Sequence, residues 1–266
     1  MLPIKQLTSD IAQNIQFVLS DIDDTMTQDG KLPANAYQAL WDLKSVGIKV
    51  IPVTGRPAGW CDMIARQWPV DAVVGENGAL IVYEEHGVLK EILHPQVADP
   101  KIADKLKIIQ QDVLTRVPKS RVAKDQAYRR FDLAIDFAEE EPKLPLQSAE
   151  QIQAIFHQHG AQAKISSIHV NGWFGEYDKL SMTHLLFKEL WQLDLDQEKQ
   201  HVLFCGDSPN DEPMFAYFPT SCGVANIREF ASVLRSPPTY ISQEEAGRGF
   251  AECVAHLLRL RADTTT

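Results

Sequence analysis

Short apolar runs rich in β-branched residues recur along the chain, and three of them stop abruptly at polar or charged residues. FVLS gives way to DIDDT at Asp21, IKVIPV to TGRP at Thr54, and HVLFC to GDSPND at Gly206. An unbroken apolar run has no polar face, which suits a strand buried on both sides, and such strands belong to parallel sheets covered by helices. DAVVG, ending at Gly75, and SCGVA, ending at Ala225, read the same way. Between these runs lie helical patterns over residues 35–46, with Tyr37, Leu40, Trp41 and Val46 inward, and over 59–68, 179–193 and 245–260. This alternation predicts an α/β fold, a mostly parallel sheet with helices on both faces.

The middle of the chain has a different rhythm. From about residue 82 to 172, helical patterns over 98–116 and 148–159 interleave with the strand-like runs FDLAIDF and KISSIHV, and EEEPKLP breaks the sequence between them. A smaller α+β domain, residues 83–172, is therefore expected as an insert in a core made of residues 1–82 and 173–266. No internal repeat or low-complexity tract is present. The polar end RADTTT is expected to fray.

Asp and Glu number 36 against 26 Lys and Arg, a formal net charge of -10. That balance disfavours a nucleic-acid or anionic-membrane partner, and a small anionic substrate would need local cations or a metal to offset the surrounding field. The four cysteines, Cys61, Cys205, Cys222 and Cys253, make no paired ligand motif and read as core thiols in a reducing compartment. The first residues lack a basic segment leading into an apolar run, and no apolar stretch reaches about 18 residues, so a cytoplasmic location is expected. Monomer and homodimer both stay open.

In an extended segment alternate side chains share a face, so Asp21 and Asp23 point the same way and Ile22 points into the domain. Two carboxylates aimed at one spot repel unless a cation or a shared proton relieves them. A hard divalent ion with oxygen ligands, magnesium, is the natural relief. Taken alone, DIDDT also reads as an acidic turn at a strand end, and GDSPND as a type I turn. Taken together, the three polar clusters would converge, because the ligand crevice of an open parallel sheet lies outside the carboxyl ends of its strands.

DIDDT, TGR, the YDK around Lys179, and GDSPND stand in the order and at the spacing of the four motifs of the haloacid dehalogenase superfamily of phosphatases, which the chain resembles. The insert between the second and third motifs, entered through GENGALIVY, is similar to the subgroup with a type-II cap, which includes sugar phosphatases and phosphomannomutases. The motif resemblance covers residues 1 to about 82 and about 173 to 266. It implies a Rossmann-like core and a nucleophile at Asp21 that forms an aspartyl phosphate. It implies an acid and base at Asp23, and phosphoryl contacts from Thr54, from the Gly55 amide and from Lys179. Mg2+ would be held by Asp21, by the main-chain oxygen of Asp23 and by Asp207. Asn210 and Asp211 would complete that shell through water or by orienting Lys179. Asp24 stands where family members often have Gly, and Leu180 where Gly often follows the lysine.

A cap over the crevice would supply specificity, since the core motifs grip only the phosphate. His169, Asn171 and Trp173 alternate on one face of IHVNGWF, and the first two are candidates for sugar hydroxyls, the alternative being solvated polar residues beside a core Trp. Arg129 could bind a second anionic group, or pair with the EEE run at Glu139 to Glu141. Arg56 is expected to reach into the crevice. Asn77, flanked by Gly75 and Gly78, is expected where core meets cap, at a hinge. The partner expected is a small phosphorylated metabolite, a sugar phosphate or similar, hydrolysed with magnesium. A phosphosugar mutase shares the same motifs, and a catalytically silent binding protein would usually have lost one of the acids.

Overall fold

The computed structural model describes residues 1–262; the last four residues of the RADTTT end lie outside the described residues. In chain order the strands are β1 (Leu2–Pro3), β2 (Phe17–Ser20), β3 (Lys49–Pro52), β4 (Val73–Gly75), β5 (Leu80–Glu85), β6 (Val88–Leu93), β7 (Arg121–Val122), β8 (Asp132–Asp136), β9 (Gln162–Ile165), β10 (His169–Trp173), β11 (Val202–Gly206), β12 (Thr220–Gly223) and β13 (Tyr240–Ile241). The helices are α1 (Ser9–Asn14), α2 (Ala34–Ser45), α3 (Ala58–Gln67), α4 (Ile102–Arg116), α5 (Leu146–Gln158), α6 (Lys179–Trp191), α7 (Leu195–Glu198), α8 (Glu212–Tyr217) and α9 (Ala246–Ala262).

Six strands form one parallel sheet in the order β1-β13-β12-β11-β2-β3. Successive residues of each central strand face opposite sides. Phe17, Leu19, Ile51, Val202 and Phe204 pack with Met182, Leu186 and Phe187 of α6 and with Met214 and Phe215 of α8. Val18, Val50, Leu203 and Cys205 pack with Leu40 and Leu43 of α2, Cys61 and Ile64 of α3, and Phe250 and Cys253 of α9. Both faces are therefore covered, which is why these strands carry no polar alternation. A bridge between Val53 and Val74 carries the sheet on to β4, and β4-β5-β6 continues as an antiparallel meander. The result is the α/β fold with a Rossmann-like, mostly parallel core that the pattern predicts.

A second, antiparallel sheet has the order β7-β8-β10-β9. One of its faces, with Leu133, Ile135 and Val170, packs against Ile109 and Val113 of α4 and Ile152, Ile155 and Phe156 of α5. Its other face carries Asp132, Asp136, His169 and Asn171, all buried.

Some local expectations give way. On α2 the inward residues are Ala36, Ala39, Leu40 and Leu43, while Trp41 and Val46 are about half exposed, at 48% and 50%. Small alanines let the helix lie close to α9, and the larger side chains fall on its outer flank. KISSIHV is two strands rather than one: the chain reverses over residues 166–168, where Ser166 donates its N–H to His169 O at 2.8 Å and its hydroxyl accepts from His169 N at 3.0 Å. α4 begins at Ile102, since Pro95 opens a separate 3-10 turn and Pro100 interrupts the pattern. All four cysteines are buried free thiols.

Gly172 on β10 lies beneath the Phe156 ring, where an added Cβ would come within 2.1 Å of ring carbons. Gly172→Ala is expected to destabilise the fold by about 1–3 kcal/mol through overpacking, measured by denaturant unfolding. A second change, Phe156→Leu, should recover part of that loss; two losses that simply add would place the strain elsewhere.

Candidate active site

Three neighbouring strands end together. Ser20 at the end of β2 is in register with Pro52 of β3 on one side and Cys205 of β11 on the other, so Asp21, Thr54 and Asp207 leave the sheet side by side. Backbone pairing continues past the strand ends: Asp21 donates its N–H to Cys205 O at 2.9 Å, and Thr54 donates to Val74 O at 2.8 Å. Backbone pairing therefore aims these residues before any side chain interacts.

Carboxylate oxygens of Asp21, Asp207 and Asp211 all lie within 4.8 Å of one another, and all three residues are buried. Lys179, at the start of α6 behind the Asp178–Ser181 capping box, donates from Nζ to Asp21 Oδ1 and to Asp211 Oδ1, at 2.7 Å each. Asp211 spends its other oxygen on the Asp207 N–H at 3.1 Å, so it positions both Lys179 and Asp207. Asn210 lies in the same 3-10 turn, its Oδ1 accepting from Ser208 Oγ at 2.7 Å.

Three carboxylates share this volume with one ammonium. Burial pushes the Asp21 carboxyl up to about 7 against the pull of Lys179, with Asp211 and Asp23 adding to the push. Asp207 is held well above the ordinary carboxylate range, first by burial and then by Asp21 and Asp211. On Lys179 burial opposes the charge, yet Asp21 and Asp211 together raise it above an ordinary lysine. A dry, oxygen-only donor set with uncompensated negative charge fits a hard divalent cation.

Two residues that the sequence reading passed over complete the arrangement. Thr25 donates its hydroxyl to Asp207 Oδ1 at 3.1 Å, and Asn226 donates from Nδ2 to Asp207 Oδ2 at 3.3 Å and to Asp24 O at 3.0 Å. Asn226 follows β12 just past its carboxyl end, so the rule that pointed to Asp21, Thr54 and Asp207 would have found it as well.

On the β3 side, Thr54 is fully buried and its Oγ1 accepts from Arg56 N at 3.0 Å, which leaves its proton free to donate. Asp23 lies against the Arg56 guanidinium, with Nε to Oδ2 at 2.9 Å and Nη2 to Oδ1 at 2.8 Å. Arg56 also reaches the inserted segment, pairing with Glu139 at 2.9 Å and Asp125 at 3.2 Å. Arg56 is buried, and its partners are carboxylates of the site and the insert.

The remaining candidates belong to a buried polar network on the same side. Arg129, its side chain fully buried, donates to Asp125, to Asp132 and, at 2.8 Å, to Gly55 O. Asn171 and Asn77 both donate to Asp132 Oδ2, at 2.9 and 3.3 Å. His169 bonds Glu139 at 2.8 Å, and that bond, with burial opposing it, holds the Glu139 carboxyl down at about 2. The structure therefore gathers Asp21, Asp207, Asp211 and Lys179, with Asn210, Thr54 and Gly55 beside them. Arg129 instead bridges the insert to the core through Gly55 O, while His169 and Asn171 bond Glu139 and Asp132 within the insert itself. Asn77 sits at that junction in a strained turn: Glu76 has φ 43° and Asn77 φ 55°, left-handed conformations that cost non-glycine residues about 1–3 kcal/mol each.

The sequence model of the haloacid dehalogenase-like hydrolases matches residues 18–152, just over half of the chain. Solved structures share the fold at low identity. A Thermoplasma acidophilum protein is 18% identical with a TM-score of 0.69, covering 92% of this chain and 99% of its own. A sucrose-phosphatase from Synechocystis, solved with sucrose and phosphate, is 19% identical with a TM-score of 0.62, covering 91% of this chain and 98% of its own. The C-terminal domain of a C. albicans trehalose-6-phosphate phosphatase is 14% identical with a TM-score of 0.70, covering 97% of this chain and 98% of its own. With the motif residues at adjoining strand ends and the family match running from β2 into α5 of the insert, the chain belongs to the haloacid dehalogenase-like hydrolases.

Proposed function

We propose that the protein is a magnesium-dependent phosphomonoester hydrolase that acts on a phosphorylated sugar or similar small metabolite. The observation that carries this reading is the meeting of Asp21, Asp207 and Asp211 around Lys179 at neighbouring strand ends. Mg2+ would be held by the carboxylates of Asp21 and Asp207 and by the main-chain oxygen of Asp23, with Asn210 and Asp211 supporting that shell. Bound there, it would supply charge neutralisation between the nucleophile and the phosphate.

The side chains of this chain would act in two steps. An Asp21 oxygen attacks phosphorus and the ester P–O bond breaks; its electron pair leaves with the alcohol oxygen, which takes a proton from Asp23. Asp23 then removes a proton from water, the resulting oxygen attacks phosphorus, and the acyl phosphate bond opens to free Asp21 and inorganic phosphate. Lys179, the Thr54 hydroxyl and the Gly55 amide would hold the equatorial oxygens, interactions that strengthen as charge develops on the transferring group. The antiparallel sheet and its helices would serve as the cap, with Arg56 tying it to Asp23.

The leaving group proposed is neutral and polyhydroxylated. A cleft of about 280 Å³ beside Asp207 is lined by Asp24, Asp29, Ser167, Asn226 and Glu229, with no Lys or Arg among its lining residues. Arg129, the candidate for a second anion, is spent on Asp125 and Asp132. A second phosphate or carboxylate on the substrate would meet carboxylates there. In a phosphate-release screen, sugar monophosphates should exceed sugar bisphosphates and phosphoglycerates in kcat/KM; a preference for the doubly charged esters would contradict this assignment.

Asp21→Asn is nearly isosteric and removes the nucleophilic charge. Turnover of any phosphate ester should drop about a thousandfold or more while the far-UV circular dichroism stays unchanged. Parent-like turnover by the homogeneous variant would sink the nucleophile assignment.

The raised carboxyls of Asp21 and Asp207 also set a sign for stability. Folded protein then holds protons that the unfolded chain has released, so metal-free stability is fullest below the ordinary carboxylate range and is lost as pH rises toward about 7. In chelator the thermal midpoint should be lower at about pH 8 than at about pH 5.5, and millimolar Mg2+ should raise it more at the higher pH. A midpoint indifferent to Mg2+ at both pH values would argue against the metal site.

A further inference from the structure

Glu76 is a buried carboxylate outside the acidic cluster that is held by backbone donors. It is fully buried, and its two oxygens accept three backbone N–H groups: Ala58 at 2.9 Å, Arg130 at 2.9 Å and Phe131 at 2.7 Å. Ala58 is the first residue of α3, immediately behind TGRP, and Arg130 and Phe131 lead into β8 of the inserted segment. One carboxylate thus pins the insert to the helix that follows the phosphate-binding loop. No Lys or Arg side chain pairs with it among the described residues, so backbone dipoles alone oppose its desolvation. Burial and then Asp132 push its carboxyl up to about 7.

The backbone of the same turn grips the loop itself. Glu76 donates its N–H to Arg56 O at 3.0 Å, and Asn77 donates to Thr54 O at 3.1 Å. The Thr54–Gly55 peptide is trans, since the one cis bond among the described residues is Glu141–Pro142. In a trans peptide the C=O and N–H point in opposite directions, so a Thr54 carbonyl turned toward Asn77 turns the Gly55 N–H away from it. That N–H has no acceptor among the described residues. On its far side the turn meets the third motif: Gly78, at φ 107°, lies so close to Asp178 O that an added Cβ would stand 2.1 Å from it. Residues 76–78 therefore lie against the TGR loop, the residue preceding Lys179, and the insert at once.

We propose that Glu76 is a positioning residue: by fastening residues 130–131 of the insert to the α3 N-terminus, it holds the turn that points the Gly55 amide at the phosphoryl group, so that cap seating and phosphoryl binding are coupled. The inference rests on the phosphatase reading above. Glu76 touches neither substrate nor metal in this scheme and acts through Gly55.

Glu76→Gln keeps the shape but turns an amide NH2 toward backbone donors. With p-nitrophenyl phosphate and with a sugar monophosphate, kcat/KM should fall by about tenfold, to the same extent for both, because Gly55 contacts the transferred group and not the leaving group. The inhibition constant of inorganic phosphate should rise by a similar factor. A residue serving only the fold would lower kcat with the active fraction and leave KM and the phosphate constant unchanged, and that outcome would overturn the proposal.

Should the Gln variant not fold, Ala58→Pro decides. Proline is tolerated at the first helical position, and Pro57 before it is already extended at φ -68° and ψ 159°, so the change deletes one donor to Glu76 and leaves the helix intact. A weaker shift in the same direction, about threefold in the phosphate constant, is expected; parent-like kinetics would refute the coupling. Parent enzyme that released no phosphate from any ester would instead count against the phosphatase reading itself.

Discussion

Carboxylates repel, and burial makes the repulsion worse because water no longer screens it. Asp21, Asp207 and Asp211 nevertheless occupy one dry volume with a single ammonium between them. Hydrophobic packing on both faces of the parallel sheet secures the strands, and the strands in turn deliver the acids whether or not the acids favour the meeting. The site is an expense met by the two cores beneath it, and the raised carboxyls of Asp21 and Asp207 are its visible sign. Such an arrangement makes physical sense where a cation and an anionic substrate complete the charge balance.

Around this centre the polar residues divide into two groups. Thr25, Asn226 and Lys179 address the cluster directly, each from a different element of the core. Arg56, Glu76 and Asn77 run the other way, from the core toward the insert, where Asp125 and Glu139, the amides of Arg130 and Phe131, and Asp132 meet them, and Arg129 reaches back from the insert to Gly55 O. A buried ion pair gains little net stability over apolar packing, so a chain of them between two units is better understood as setting register than as adding strength. Here the register set is that of the insert over the TGR loop.

The inserted sheet shows the same economy. Its strands alternate, with Leu133, Ile135 and Val170 on the helices and Asp132, Asp136, His169 and Asn171 toward the core. A sheet with one apolar face needs a partner only on that side, which leaves the polar face free to meet the crevice. Under the proposed reading, the acid-lined cleft beside Asp207 would favour a substrate whose far end is uncharged.

The amino-acid sequence by itself determined the strand runs, the helical segments and the polar residues at strand ends, because these depend on periodicity and on where an apolar run stops. Asp21, Thr54 and Asp207 were legible for that reason, and Asn226 could have been. Only the tertiary structure decided that Arg129, His169 and Asn171 are consumed by Asp132, Asp125 and Glu139, that Trp41 and Val46 face outward, and that Glu76 joins three segments. Those facts depend on which surfaces meet across long separations in the chain, and a residue's type and spacing carry no record of the partner that burial will bring to it.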